Sequence, residues 1–229
     1  MDLVVLGGIL AVSIIASGLD MLIDFVKEKR RVRSRLDPEG NVLLPNDSAL
    51  IDRMAETIRQ NFTGDIGTEL RNMTFEERKD KMEAIARQIA RDIGIGDIEI
   101  EFYNTQDTGC KYQGSYCFAN NKLSINEDYL KITDDEILFD ALDTVVHELS
   151  HAYQHKKMSE LLERIYDAED ENDITYSEED KRTCIWIINQ KPGNYIKFEV
   201  DPEGYRKQPL EWYAFAMANA ALRKLGGEE

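Results

Sequence analysis

His147-Glu148-Leu149-Ser150-His151-Ala152-Tyr153-Gln154-His155 holds all three histidines of a 229-residue chain, and its first five residues are an H-E-x-x-H. On an α-helix, residues four apart lie one above the other on the same face. His147 and His151 can therefore hold a single zinc ion between them, with Glu148 leaning over the position a water molecule would take. The flanking sequence supplies that helix. Thr133-Asp134-Asp135-Glu136 reads as a capping box, with Thr133 as N-cap and Glu136 reaching back. Ile137, Leu138, Leu142, Val145, Val146, Leu149, Ala152 and Tyr153 recur at helical spacing as a buried stripe. Neither Gly nor Pro interrupts Glu136 to Lys157.

Zinc hydrolases take three protein ligands and leave the fourth position to water. His155 is a poor third ligand, because it lies about 12 Å beyond His147 along a continuous helix at 1.5 Å per residue. No glycine follows to break the helix, so the third ligand should be an Asp, Glu or Cys from elsewhere. The best candidate is Glu211, which follows Pro209 in the first turn of a helix predicted to reach about Leu225. Ala214, Ala216, Ala218, Ala220 and Ala221 give that helix a small-residue surface suited to close approach. The alternative reading of Glu211 is an exposed glutamate favoured by the helix dipole.

With these residues in view, the chain resembles the gluzincin-type zinc metallopeptidases, which carry H-E-x-x-H on one helix and a glutamate ligand on a second. It is closer to the compact metallopeptidase-like domains of bacterial and phage genomes, where a Tyr-x-x-Gln-Pro-x-Glu-x-x-Ala stretch follows the first motif. Here that stretch is Tyr205 to Ala214. The resemblance spans roughly Asp97 to Leu225. It implies His147, His151 and Glu211 as metal ligands, Glu148 as general base, and hydrolysis of a peptide bond by a metal-activated water. Tyr205 and Tyr213 flank Glu211; Tyr205 is the candidate catalytic donor to the oxyanion, against the reading of both as packing residues. Larger gluzincins often place an aspartate four residues after the ligand glutamate, to hold a zinc histidine. This chain has Phe215 there, which leaves Asp140, Asp143 and backbone carbonyls open as partners for the histidines.

Upstream, Asp97 to Tyr103 alternates polar and apolar residues as a half-buried strand. Ser115–Phe118 and Lys122–Ile125 flank Ala119-Asn120-Asn121 as a hairpin. The Gly114–Asn126 hairpin is the candidate edge to which an extended peptide could add, or else scaffold. Helices are expected over about Asp47–Phe62 and from Thr74, which opens a second capping box, to Ile93. Asp167 to Asp180 reads as an acidic loop. The expected class is α+β and zincin-like: a small, mostly antiparallel sheet packed on the long H-E-x-x-H helix, with additional helices and an N-terminal apolar helix.

Leu3 to Leu19 carries no charge, and Lys27 to Arg35 is strongly basic. Positive charge following the apolar run is the reverse of a signal peptide. The chain is therefore expected to divide into residues 1–35, a membrane anchor reaching the bilayer through residues 3–26, and a metallopeptidase domain over 36–229. By the positive-inside rule that domain faces the cytoplasm; the alternative is a soluble cytoplasmic protein with the apolar helix buried. Residues 1–35 carry a net charge of +2 and the remainder −18. An acidic body repels nucleic acid; a protein or peptide substrate as partner is what the resemblance to metallopeptidases implies. Three cysteines cannot all pair, and none has the spacing of a structural zinc site. Two other readings compete with the peptidase: a metal-binding interaction module without activity, and a membrane or assembly element carried by residues 1–35.

Overall fold

The computed structural model describes residues 43–109, 112–168 and 174–225. The anchor expected over residues 3–26, with its apolar helix, lies outside them, as does Cys110. Among the described residues no helix is long and apolar enough to cross a membrane. The class is α+β: a three-stranded sheet with helices around it.

Two compact units are distinguished, one made of Leu43–His155 with the residues from Glu211 onward, the other containing Lys156–Leu210. The first unit opens with α1 (Asp47–Gln60), α2 (Ile66–Asn72) and α3 (Phe75–Asp92). Thr74 and Glu77 form the expected capping box, each side chain bonding the other's backbone amide. α1 and α3 pack together; Met54 and Ile58 of the first and Met82, Ile85 and Ile89 of the second are fully buried. β1 (Glu99–Tyr103), the short α4 (Thr105–Thr108), β2 (Gly114–Cys117), β3 (Lys122–Asn126) and α5 (Glu127–Lys131) follow.

The sheet order is β1-β3-β2, with β2 antiparallel and β1 parallel to β3. The expected hairpin is present, but the sheet is mixed rather than mostly antiparallel. β1 and β2 run in opposite directions and do not pair, because the hairpin folds β3 into the space between them. A strand antiparallel to β2 in that place must lie parallel to β1. Leu123 and Ile125 of this central strand point into the core.

α6 (Asp135–Tyr166) is the long helix expected around the motif, and it runs nine residues beyond Lys157. Its cap is Asp134 rather than Thr133: the Asp134 carboxylate accepts from the amides of Glu136 and Ile137 at 3.0 and 3.2 Å. An aspartate one position later reaches the second and third amides of the helix without help from Glu136. The apolar stripe of Leu138, Leu142, Val145, Val146, Leu149 and Ala152 is buried as expected.

In the second unit, α7 (Glu178–Gln190) begins inside the stretch expected to be an acidic loop. Ser177 and Asp180 form its capping box, with aspartate standing where glutamate is usual, and Arg164 pairs with Asp180 at 2.8 Å. Trp186 and Cys184 are buried, and burial pushes the Cys184 thiol up to about 12. α8 (Pro202–Lys207) precedes α9 (Pro209–Arg223). Between them Gln208 is buried; its amide donates to the Ile196 carbonyl and accepts from the Ile196 amide, each at 2.9 Å. Asn189 accepts from the Leu210 amide at 3.1 Å, which satisfies a donor in the first turn of α9.

Arg78 is a buried cation, 3% exposed, held by carbonyl oxygens. Its guanidinium donates to Leu70 and Arg71 at the end of α2 (2.7 and 3.1 Å) and to Leu130 at the end of α5 (2.7 Å). Helix C-termini carry partial negative charge, so these ends suit a guanidinium. Arg78→Met should cost about 2–4 kcal/mol, since each buried acceptor left without a donor costs about 1–3 kcal/mol. Urea denaturation measures the loss, and Arg78→Lys should recover only part of it because one ammonium cannot span three carbonyls.

Candidate metal centre

α6 presents His147, Glu148 and His151 on one face, and α9 brings Glu211 against them within the first unit. All four are buried, Glu211 to 2% exposure. His147 Nε2 and His151 Nε2 are 3.2 Å apart, and Glu211 Oε2 lies 3.4 and 3.3 Å from them. These atoms form a nearly equilateral triangle, and the three residues are a group that could hold a metal ion. The size of the triangle is informative. Bonds of 2.0–2.1 Å in a tetrahedral arrangement place ligand atoms about 3.3 Å apart. The donor set of two imidazoles and one carboxylate, with these spacings, fits three corners of a tetrahedron around a divalent cation. Glu148 is not part of the triangle, though it is close enough for its charge to raise the basicity of His151.

Electrostatics follow from packing a carboxylate among imidazoles. Burial lowers His151, but the Glu211 carboxylate, helped by Glu148, overrides it and pushes the imidazole up to about 9. Burial likewise raises Glu211, but His151 and His147 hold its carboxyl well below the usual carboxylate range. A buried carboxylate needs a cation beside it; the field that attracts a proton to His151 also favours a metal ion.

The surroundings of the two histidines differ. His151 Nδ1 lies 2.8 Å from Oε1 of the fully buried Gln154. His147 Nδ1 is buried with no hydrogen-bond partner among the described residues. Its ring packs on Phe215 instead, at 4.4 Å between centroids. Asp140 and Asp143, the acidic candidates for this role, do not fill it. The Asp143 carboxyl is raised chiefly by burial, against an opposing pull from His147. The partner of His151 is thus a residue that the sequence reading passes over. Its signal is the position of Gln154 three residues after His151, a spacing that makes helix neighbours.

His155 turns away from the triangle, towards Phe118 and Tyr116 of the hairpin, at 5.2 and 6.3 Å between ring centroids. Burial lowers its basicity. The Tyr213 hydroxyl donates to the buried Asp47 at 3.1 Å, and Asp47 also accepts the Leu44 amide at 2.6 Å. Tyr213 is fully buried, so it reads as a packing residue. Tyr205 belongs to the other unit, where its ring meets those of Phe198 and Tyr195 edge-on at 5.6 and 6.2 Å.

The edge strand β2 presses on α6 beside Glu148. A Cβ at Gly114 would sit 2.7 Å from Thr144 Cγ2, 3.2 Å from the Ser124 carbonyl oxygen and 3.4 Å from Glu148 Cγ. The Thr144 hydroxyl lies 2.9 Å from both the Asp140 carbonyl and Gln113 Oε1, which fixes the methyl group in the path of that Cβ. Gly114→Ala should therefore push strand and helix apart, at about 1–3 kcal/mol for overpacking. Thermal unfolding reads this directly; an unchanged melting temperature would mean that the contact yields without strain.

Comparison with protein-family models, curated proteins and solved structures finds no match to this chain.

Proposed function

We propose that the chain is a zinc-dependent metallopeptidase of the gluzincin type. The observation that carries this reading is the triangle of His147, His151 and Glu211, with Glu148 beside it on the same helix face. His147, His151 and Glu211 would hold the zinc ion. Bound there, zinc would supply Lewis acidity and lower the pKa of a water molecule. Glu148, buried on the same helix as the two histidines, would take a proton from the attacking water on its carboxylate and return it to the departing nitrogen of the peptide. The sheet supports the same reading. β2 lies at the edge of the order β1-β3-β2 and passes Glu148 of α6, whose Cγ a Cβ on Gly114 would approach to 3.4 Å. An extended peptide added to that edge by main-chain hydrogen bonds would pass the general base.

The test is metal content and hydrolysis measured on the same preparation of the full chain, over a mixed-sequence peptide library. About one zinc per chain, and cleavage abolished by chelation and restored by zinc, are the expected results. A folded chain that takes up no zinc would remove the basis of the proposal. Stoichiometric zinc with no cleavage of any library member would favour the inactive metal-binding module instead.

A further inference from the structure

We propose that Gln154 is a positioning residue for His151, selecting which imidazole nitrogen faces the metal ion. The inference rests on the metal reading above and deepens it. Gln154 is fully buried on α6, and its Oε1 is 2.8 Å from His151 Nδ1. An amide oxygen only accepts hydrogen bonds, so Nδ1 must carry the proton in that contact. In the neutral imidazole the lone pair then resides on Nε2, the atom 3.3 Å from Glu211 Oε2 and 3.2 Å from His147 Nε2. The other tautomer would set the Nδ1 lone pair against an oxygen lone pair at hydrogen-bond distance and turn an N–H towards the metal position. Gln154 therefore disfavours the tautomer that cannot bind.

His147 sets the comparison. Its Nδ1 has no hydrogen-bond partner among the described residues, and the Phe215 ring packs on it at 4.4 Å. One ligand is held by a polar contact and the other by apolar packing. Only the first contact distinguishes the two nitrogens of a ring, because packing against Phe215 does not depend on which nitrogen is protonated. The acceptor on His151 is also an amide rather than a carboxylate, so it orients the imidazole without adding negative charge beneath the metal. Outer partners of this kind are worth about 10–100-fold in metal affinity.

The experiment compares the full chain with Gln154→Met and Gln154→Glu. Methionine matches the length of glutamine and lacks the oxygen; glutamate keeps an acceptor and adds charge. Zinc affinity is read by competition with a chromophoric chelator, and the tautomer of His151 by nitrogen chemical shifts in metal-free, ¹⁵N-histidine-labelled protein at alkaline pH, where the imidazole is neutral. Gln154→Met should bind zinc about 10–100-fold more weakly and lose the single Nδ1–H signature of His151. Gln154→Glu should bind at least as tightly as the parent and keep that signature. Parent-like zinc affinity in Gln154→Met, or weakened binding in both variants alike, would overturn the positioning role while leaving the metal site standing. A parent chain that binds no zinc would overturn the metal reading and this inference together.

Discussion

Glu148→Gln should lower peptide hydrolysis by about 10²–10⁴-fold, the range of a positioned general base, and leave the metal content of the protein unchanged. The two halves of that expectation have different structural origins. Glu148 stands outside the triangle of candidate ligand atoms, so replacing its carboxylate by an amide takes nothing from that triangle. Glutamine also keeps the shape of the side chain beside Gly114, where a Cβ on the strand would lie 3.4 Å from Glu148 Cγ. What disappears is the capacity to take a proton. The diagnostic is therefore a fall in kcat with zinc stoichiometry held at the parent value. Retained activity would take the general base away from this residue, and lost zinc would place Glu148 among the ligands.

Glu211→Ala should do the opposite, abolishing tight metal binding and hydrolysis together. The carboxylate supplies one corner of the triangle and its only negative charge. Without it two imidazoles remain, and zinc affinity should fall by more than the roughly 100-fold upper range for an outer-partner mutation, because a direct ligand has gone. A second signature appears in the metal-free protein. His151 is raised to about 9 against its own burial, chiefly by Glu211. With Glu211 removed, burial gains weight and the imidazole should titrate at lower pH, which NMR titration measures. A variant that holds zinc as tightly as the parent would mean that the ligand set is drawn from other residues.

The histidine pair and Glu211 are legible in the amino-acid sequence because their chemistry is local. His147 and His151 share a helix face by their spacing alone, and Pro209 announces the start of the helix that bears Glu211. The long helix is equally plain from its apolar stripe, and the hairpin from its turn. What escapes depends on choices that spacing does not encode. Thr133 and Asp134 are both good caps, and only the backbone path shows that Asp134 is used. The parallel pairing of β1 with β3 arises from where the hairpin is inserted, which alternation along one strand cannot report. The partner of Tyr213 is Asp47, distant by 166 residues in the chain. In sequence Phe215 is only the absence of an aspartate; in the fold it is a support for His147.

Arg78 carries a consequence for how the first unit opens. Its guanidinium joins the end of α2 to the end of α5 across 52 residues of sequence between Arg78 and Leu130. Neither end can fray alone without stranding a buried cation, so local opening is penalised at both places at once. Amide protons of α2, α3 and α5 should exchange with solvent at one common free energy, as a single cooperative block. In Arg78→Met that block should divide, with α2 and α5 exchanging ahead of α3.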